Sequence, residues 1–239
     1  AGPEAAGSEA AGAAFGGNDD DAALPSVEVT EFRRRMRVRK LPSSQIFRGR
    51  ALVDEAERDD ARCLDGTPAY YWTLPGWGAG SRKWIILQKG GTVCNTLDQC
   101  LRASKRPWGS SSTWLLYDGH STLVRRAVML SWDCSINPYF CSWNKAVIGY
   151  CDGGAFTGSN STPTWHKGTR LYFRGRHILR AVQADMLKRS RFASATDVLL
   201  AGYSFGGLSV FYSCDEWAAE LSRVNSFVRV ACTTDASFF

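Results

Sequence analysis

One short segment constrains the fold more than any other. Residues 197–201, DVLLA, form an apolar run typical of a buried strand. This run leads into GYSFGG at residues 202–207, and a helix-compatible segment, residues 208–214, follows it. Glycines on both sides of Ser204 permit a tight turn, so the order predicts a strand, a sharp turn and a helix. Because such a turn exposes a serine at the carboxyl end of a sheet, Ser204 is the candidate nucleophile.

Other short β-rich runs recur along the chain, each ended by glycine or a polar turn. They lie at residues 84–87, 146–150, 198–201 and 228–231. Between the second and third runs, apolar side chains recur at helical spacing in residues 176–189 and predict an amphipathic helix. Strands separated by helices long enough for crossovers predict an α/β domain, a mostly parallel sheet with helices on both faces.

Two further segments follow predicted strands at the edge where parallel sheets bind ligands. Residues 87–94, LQKGGTVC, contain consecutive glycines whose amide groups could converge on an oxyanion, with a plain Gly-Gly turn as the alternative. Residues 150–156, YCDGGAF, place Asp152 and Gly153 in a candidate substrate loop. Asp152 could touch a substrate hydroxyl or orient the loop, whereas an Asp-Gly turn is the commoner explanation. The amide group of Phe205 would be the other oxyanion donor.

The charge of the chain is concentrated in one place. The net charge is +6, and residues 33–40 alone contribute six basic side chains, so the remainder is close to neutral. We interpret this run as a solvated basic linker, with a nuclear-import, heparin-binding or proprotein-cleavage site as the alternative. A near-neutral body gives no support to a nucleic-acid partner.

The amino-terminal segment differs in composition from the rest of the chain. Residues 1–23 are rich in Ala, Gly, Ser and acids, and have almost nothing to bury. We therefore divide the chain into a disordered low-complexity and basic linker, residues 1–50, and one folded domain, residues 51–239. The sequence begins without an initiator Met or a signal-peptide core, so either a leader was removed or the front end is incomplete.

Cysteine usage points to an oxidising compartment. The chain has eight cysteines, an even number, and no Cys-x-x-Cys pair. No run of 18 apolar residues predicts a membrane span. The sequence has no glycine-rich phosphate-binding loop, and its Asp, His and Cys residues do not occur at spacings typical of metal ligands. We therefore predict no cofactor and no metal. We expect a monomer.

Several phrases together resemble the pectin acetylesterase family, which includes the animal carboxylesterase Notum. In family order they are CLDGTPAYY at 63–71, KGG at 89–91 before Cys94 and Asn95, GSS at 109–111, NPYF at 137–140, WN at 143–144, YCDG at 150–153, LYFRG at 171–175, GYSFGG at 202–207 and TDASFF at 234–239. The resemblance implies an α/β-hydrolase fold and secretion to the extracellular space or cell wall. The resemblance implies that Ser204 is the nucleophile and that the backbone amides of Gly91, Thr92 and Phe205 form an oxyanion hole. It also implies two disulfides, Cys94–Cys100 and Cys63–Cys151.

The activity that the resemblance implies is carboxylic ester hydrolysis. Ser204 would attack an ester carbonyl, and water would hydrolyse the resulting acyl-serine. The expected substrate is an acetylated, pectin-like polysaccharide or an acylated protein. The sequence departs from the family at four residues: Lys89 replaces an acid, Thr92 and Val93 stand where a Trp is expected, and Phe205 replaces a small Ala. The Phe205 ring could therefore occupy the acyl pocket.

The general base is the missing part of this site. An α/β-hydrolase orders its triad as serine, acid and histidine, whereas His120, His166 and His177 all precede Ser204. In the family the acid and base lie downstream of the phrase at 234–239, so we expect both beyond Phe239 and a domain truncated at its carboxyl-terminal end. The chain as given is therefore expected to be inactive or nearly so. The alternative is a catalytically inactive member or fragment that acts as a binding protein.

Overall fold

A computed structural model describes residues 47–58, 60–112, 128–189 and 191–237. Residues 1–46 of the linker expected at 1–50, with the basic run at 33–40, lie outside these residues, and so does His120. Phe47 is buried in the core, and the first strand begins at Arg48. The sheet therefore starts before residue 51, where the sequence analysis placed the domain boundary.

Six strands form one mixed sheet. They are β1 (Arg48–Ala51), β2 (Tyr70–Leu74), β3 (Lys83–Gln88), β4 (Asn144–Ile148), β7 (Asp197–Tyr203) and β8 (Arg229–Asp235), in the spatial order β1-β2-β4-β3-β7-β8. Strands β4, β3, β7 and β8 run parallel, β2 is antiparallel to β4, and β1 is antiparallel to β2. The mostly parallel α/β sheet predicted from the sequence is confirmed.

Burial explains which strands the sequence reveals. Every residue of β4 and nearly every residue of β3 is buried, and each strand contains a continuous apolar run, residues 146–148 in β4 and residues 84–87 in β3. Strand β8 lies at one edge of the described sheet and alternates between exposed and half-buried residues over its first half. The predicted strand at 146–150 ends earlier than expected, because β4 stops at Ile148 and the chain then turns away from the sheet.

Four α-helices accompany the sheet in the described residues: α1 (Val53–Arg58), α2 (Leu97–Ala103), α3 (Gly175–Arg189) and α4 (Phe205–Val224). Helix α3 matches the helix predicted from apolar spacing, and α4 extends well beyond the helix-compatible segment. The two helices pack side by side, since the Gln183 amide donates to the Trp217 carbonyl at 3.2 Å. Helix α2 begins with a capping box formed by Thr96 and Gln99.

A short hairpin extends from the connection between β4 and α3. Its strands are β5 (Thr164–His166) and β6 (Thr169–Leu171), which pair antiparallel. The hairpin contacts α2, and Leu171 is buried between them in a small apolar cluster with Leu64, Cys100 and Ala103. None of the described helices is long and apolar enough to cross a membrane.

All eight cysteines are paired. The disulfides are Cys63–Cys151, Cys94–Cys100, Cys134–Cys141 and Cys214–Cys232. The first two are the pairs that the family resemblance implies, and the last two had no assigned partners in the sequence analysis. Four disulfides in one domain fit folding in an oxidising compartment.

Candidate functional site

Ser204 lies in the sharp turn between β7 and α4. Its backbone has φ 52° and ψ −134°, a conformation that costs free energy for any residue with a side chain. Hydrogen bonds hold this turn in place: the Ser204 amide donates to the Asp235 carbonyl at 3.0 Å, and the Ser204 carbonyl accepts from the Gly207 amide at 2.8 Å. The turn therefore places Ser204 at the carboxyl ends of the parallel strands.

The glycines beside Ser204 are required by close backbone contacts. A Cβ atom on Gly202 would collide with the Gly206 carbonyl, and one on Gly206 would collide with the carbonyls of Gln88 and Lys89. The strand-turn-helix crossing is thus too tight for any side chain at either position. This contact is the physical reason for the Gly-x-Ser-x-Gly pattern in this chain.

The Gly-Gly turn after β3 packs directly against the Ser204 turn. A Cβ atom on Gly90 would lie 2.6 Å from the Tyr203 carbonyl oxygen and 2.9 Å from the Ser204 Cβ. The amide groups of Gly91 and Thr92 donate to no acceptor within the described residues. Phe205 is the first residue of the 20-residue helix α4, whose amino-terminal end carries partial positive charge. This arrangement of donors can stabilise negative charge that develops on an oxygen beside Ser204.

Tyr150 joins the Gly-Gly turn to the loop that follows β4. Its hydroxyl donates to the Thr92 carbonyl at 3.2 Å and accepts from the Ala155 amide at 3.1 Å. Its ring lies where a Cβ atom on Gly91 would be, so only glycine fits there. Burial, and secondarily the nearby Asp152 carboxylate, raise the pKa of Tyr150, so its hydroxyl stays protonated. The sequence analysis assigned Tyr150 no role, because a tyrosine after a strand is not by itself distinctive.

Asp152 holds the candidate substrate loop from inside. Its side chain is 1% exposed, and Oδ2 accepts hydrogen bonds from the amides of Gly154 at 3.2 Å and Phe156 at 2.9 Å. Burial raises the pKa of Asp152 to about 7, against the lowering effect of these amides. Of the two roles considered for Asp152, this burial favours orientation of the loop. The adjacent Gly153 has φ +64°, and its carbonyl accepts from the Cys94 amide at 3.0 Å.

Neither described histidine forms a hydrogen bond with Ser204. His166 lies on the β5–β6 hairpin, where its Nε2 is 2.6 Å from Asp98 Oδ1. His177 lies on α3. No contact between a histidine and the Ser204 hydroxyl occurs in the described part of the chain, and no three His, Cys, Asp or Glu side chains gather there as a metal site.

A cavity of about 620 Å³ lies beside the Ser204 turn, between α3 and α4. Phe205 and Val93 line it next to the turn, and the buried Ser209 hydroxyl, which also lines it, has no hydrogen-bond partner among the described residues. Two exposed lining arginines, Arg176 and Arg180, bind Glu216 at 3.0 and 2.7 Å. Partial burial opposes ionisation of Glu216, but these two arginines leave its pKa below the usual range. Sequence reasoning missed this cavity, because it arises only where the two helices pack with Val93 and the loop at residues 154–157.

Known proteins share both the sequence pattern and this architecture. The sequence model of the pectinacetylesterase family matches residues 43–239. Pectin acetylesterase 5 of Arabidopsis thaliana is 34% identical over 188 residues, which cover 79% of this chain and 42% of the plant protein. The palmitoleoyl-protein carboxylesterase Notum of Schmidtea mediterranea is 29% identical over 166 residues, which cover 69% of this chain and 30% of Notum. The chain thus spans less than half the length of these relatives.

A solved structure has the same fold. The Wnt deacylase Notum from Drosophila superposes with a TM-score of 0.64 at 23% sequence identity, over 79% of this chain and 52% of that one. The sheet and helices described above are therefore those of an α/β-hydrolase-like domain.

Proposed function

The chain belongs to the pectin acetylesterase family, and from that premise we propose that residues 51–239 are the nucleophile-bearing part of a serine carboxylesterase. The observation that carries this proposal is the packing of the Gly-Gly turn against Ser204. The same turn continues into the amides of Gly91 and Thr92, which donate to no acceptor among the described residues, and the half-buried Ser204 is held in a strained conformation.

The proposed reaction begins with attack of the Ser204 hydroxyl on an ester carbonyl. The carbonyl oxygen becomes negatively charged and accepts hydrogen bonds from the amides of Gly91, Thr92 and Phe205. Collapse of this intermediate breaks the ester bond and releases the alcohol, which takes the proton that Ser204 lost. Water then hydrolyses the acyl-serine to the free acid and restores the hydroxyl.

The proton transfers in this reaction need a base. No described histidine contacts Ser204, so we propose that residues 1–239 alone are inactive or nearly so. A catalytically inactive protein that binds the ester-bearing polymer is the second candidate. The missing contact with a base favours it, as does the Phe205 ring beside the nucleophile.

For the substrate we propose an acetylated, pectin-like polysaccharide over a long-chain acyl protein. Phe205 lines the cavity beside the Ser204 turn, and a ring where the family has a small residue favours a short acyl group such as acetyl. Four disulfides support a secreted protein of the extracellular space or cell wall. We expect a monomer without nucleic-acid partners.

Hydrolysis of p-nitrophenyl acetate by residues 1–239 and by Ser204→Ala tests the proposal. An oxyanion hole alone leaves about 10³- to 10⁴-fold acceleration over water, so we expect a faint rate that needs correct folding. Turnover of about 1 to 10³ per second, lost in Ser204→Ala, would show that a base acts on Ser204 within this chain. A rate that a Gly91→Val variant leaves unchanged would contradict the oxyanion assignment.

A further inference from the structure

The β5–β6 hairpin presents an aromatic side chain to solvent. Trp165 on β5 is 62% exposed, and the guanidinium of Arg170 on β6 lies 5.0 Å from the centre of its ring. The two residues are register partners, so both project from the same face of the hairpin. Stacking of a guanidinium on an indole limits the rotation of both side chains. Trp165 is thus an exposed ring held in one orientation.

The opposite face of the hairpin is fixed to the domain. Asp98 on α2 binds His166 Nε2 at 2.6 Å and Lys167 Nζ at 2.7 Å. Hydrogen bonds from these two groups lower the pKa of Asp98 to about 2, so its charge persists at any pH of interest. Leu171 is fully buried at the other end of the hairpin, against Cys100 of the Cys94–Cys100 disulfide. A platform anchored in this way loses little conformational entropy when a ligand binds.

The hairpin, α2 and the turn after α2 together carry an excess of positive charge. Their five exposed basic side chains are Arg102, Lys105, Arg106, Lys167 and Arg170. Asp98 is already bound by Lys167 and His166. The other four basic side chains form no ion pair with any described residue. Such a surface attracts an anionic partner.

This surface lies at the same edge of the sheet as Ser204. The α2 segment follows the carboxyl end of β3, and the hairpin follows the carboxyl end of β4. Both connections therefore leave the edge where the Ser204 turn lies, and the hydrogen bond from the Cys94 amide to the Gly153 carbonyl joins them. A polymer held on the hairpin can extend across this edge toward Ser204.

We propose that Trp165, Arg170 and the neighbouring basic side chains form a binding platform for an anionic polysaccharide built of uronic acids. The C–H face of a pyranose ring is apolar and packs on the electron-rich face of an indole. The carboxylate of the same or the next sugar accepts charge-assisted hydrogen bonds from Arg170. The choice of a polyuronate rests on the proposed function, because acetylated pectin carries both esters and carboxylates.

Isothermal titration of residues 1–239 with polygalacturonate oligosaccharides tests this platform. Trp165→Ala is expected to weaken binding by about tenfold, as the loss of one stacked ring does in other aromatic platforms. Arg170→Gln is expected to weaken it severalfold and to reduce its salt dependence. Tyr139→Ala is the matched aromatic control, since Tyr139 is 82% exposed but precedes β4 at the other edge of the sheet. Arg223→Gln, at the far end of α4, is the matched charge control.

Two ligand controls separate stacking from charge alone. A neutral galactan of equal length should bind weakly, and polyglutamate, an anion without sugar rings, should bind without dependence on Trp165. Equal affinities of Trp165→Ala and Tyr139→Ala for polygalacturonate would overturn the proposal, and so would equal binding of polyglutamate. Binding needs no ester cleavage, so the two proposals fail separately. The platform fails when Trp165→Ala has no effect on binding, and the oxyanion-hole assignment fails when Gly91→Val leaves ester hydrolysis unchanged.

Discussion

Replacement of Asp152 by Asn should change how the stability of the fold depends on pH. The Asp152 carboxyl is 1% exposed, and burial raises its pKa to about 7. In the unfolded chain the same carboxyl has a pKa of about 3.9. Between these two values the folded protein keeps the proton on Asp152, whereas the unfolded chain releases it. Folding is therefore linked to proton uptake in this pH window.

The sign and size of the effect follow from that difference. Because the unfolded state binds fewer protons in the window, the free energy of unfolding decreases as pH rises from about 4 to about 7. A pKa difference of about three units at about 1.36 kcal/mol each gives a loss on the order of 4 kcal/mol. The contribution of Asp152 is thus most favourable below about pH 4, and it reaches its lowest value above about pH 7.

Asn removes the titration but keeps most of the geometry. Its carbonyl oxygen can accept the amides of Gly154 and Phe156, as Asp152 Oδ2 does. Its NH₂ group would take the place of Oδ1, which has no hydrogen-bond partner among the described residues, at a pH-independent cost of about 1–3 kcal/mol. Asp152→Asn should therefore be less stable than the parent protein near pH 4, and equally or more stable near pH 8.

Urea unfolding with the disulfides intact measures this difference. The free energy of unfolding of the parent protein and of Asp152→Asn is compared at several values between about pH 4.5 and about pH 8. Asp54→Asn, on the exposed face of α1, is the control for a general change in charge. A difference between parent and Asp152→Asn that stays constant across this range would refute the reasoning, because it would mean that Asp152 titrates alike in both states.

Three other substitutions test the site and the fold. Phe205→Ala enlarges the cavity beside Ser204. The rate of p-nitrophenyl octanoate hydrolysis relative to that of p-nitrophenyl acetate should therefore rise by about tenfold or more. An unchanged ratio of the two rates would mean that the acyl group binds elsewhere. Gly90→Ala puts a Cβ atom 2.6 Å from the Tyr203 carbonyl oxygen and should lower the midpoint of thermal unfolding. Gly154→Ala is the control: the nearest atom to its Cβ lies at 3.4 Å, so the midpoint should change little. Removing the Cys63–Cys151 disulfide, with a sequence separation of 88, should lower the free energy of unfolding in urea by about 4–5 kcal/mol. Removing Cys94–Cys100, with a separation of 6, should lower it by about 2 kcal/mol. Equal losses would contradict an origin in loop entropy.

The central part of the fold could be predicted because its signals are local. Strands β3, β4 and β7 each contain a run of buried apolar residues, since both faces of the sheet are covered there, and α3 shows clear helical spacing. Strands β1 and β2 and the β5–β6 hairpin were missed. Strand β2 pairs antiparallel with β4, which a pattern of alternating strands and helices does not predict, and three-residue strands are too short to show a period.

The candidate site divides in the same way. Ser204 and the glycines around it could be predicted because a tight turn restricts residue types locally. The orienting role of Asp152, the cross-link through Tyr150 and the cavity beside Phe205 depend on burial, which no local pattern reports. Trp165 was missed although it is exposed, because exposed aromatic residues are common in any chain. Only its contact with Arg170 and its place on an anchored hairpin distinguish it.

The strained turn at Ser204 depends on parts of the chain that are far apart in sequence. Its amide is bound by the Asp235 carbonyl at the end of β8, and its carbonyl is bound by the Ser237 hydroxyl at 3.0 Å. The Gly90 backbone packs on its other side. Because a positive φ at a serine persists only where neighbours over-determine it, the conformation of Ser204 is a property of the β3-β7-β8 region as a whole. Changes at Ser237 or Gly90 should therefore disturb the geometry of Ser204 without touching its hydroxyl.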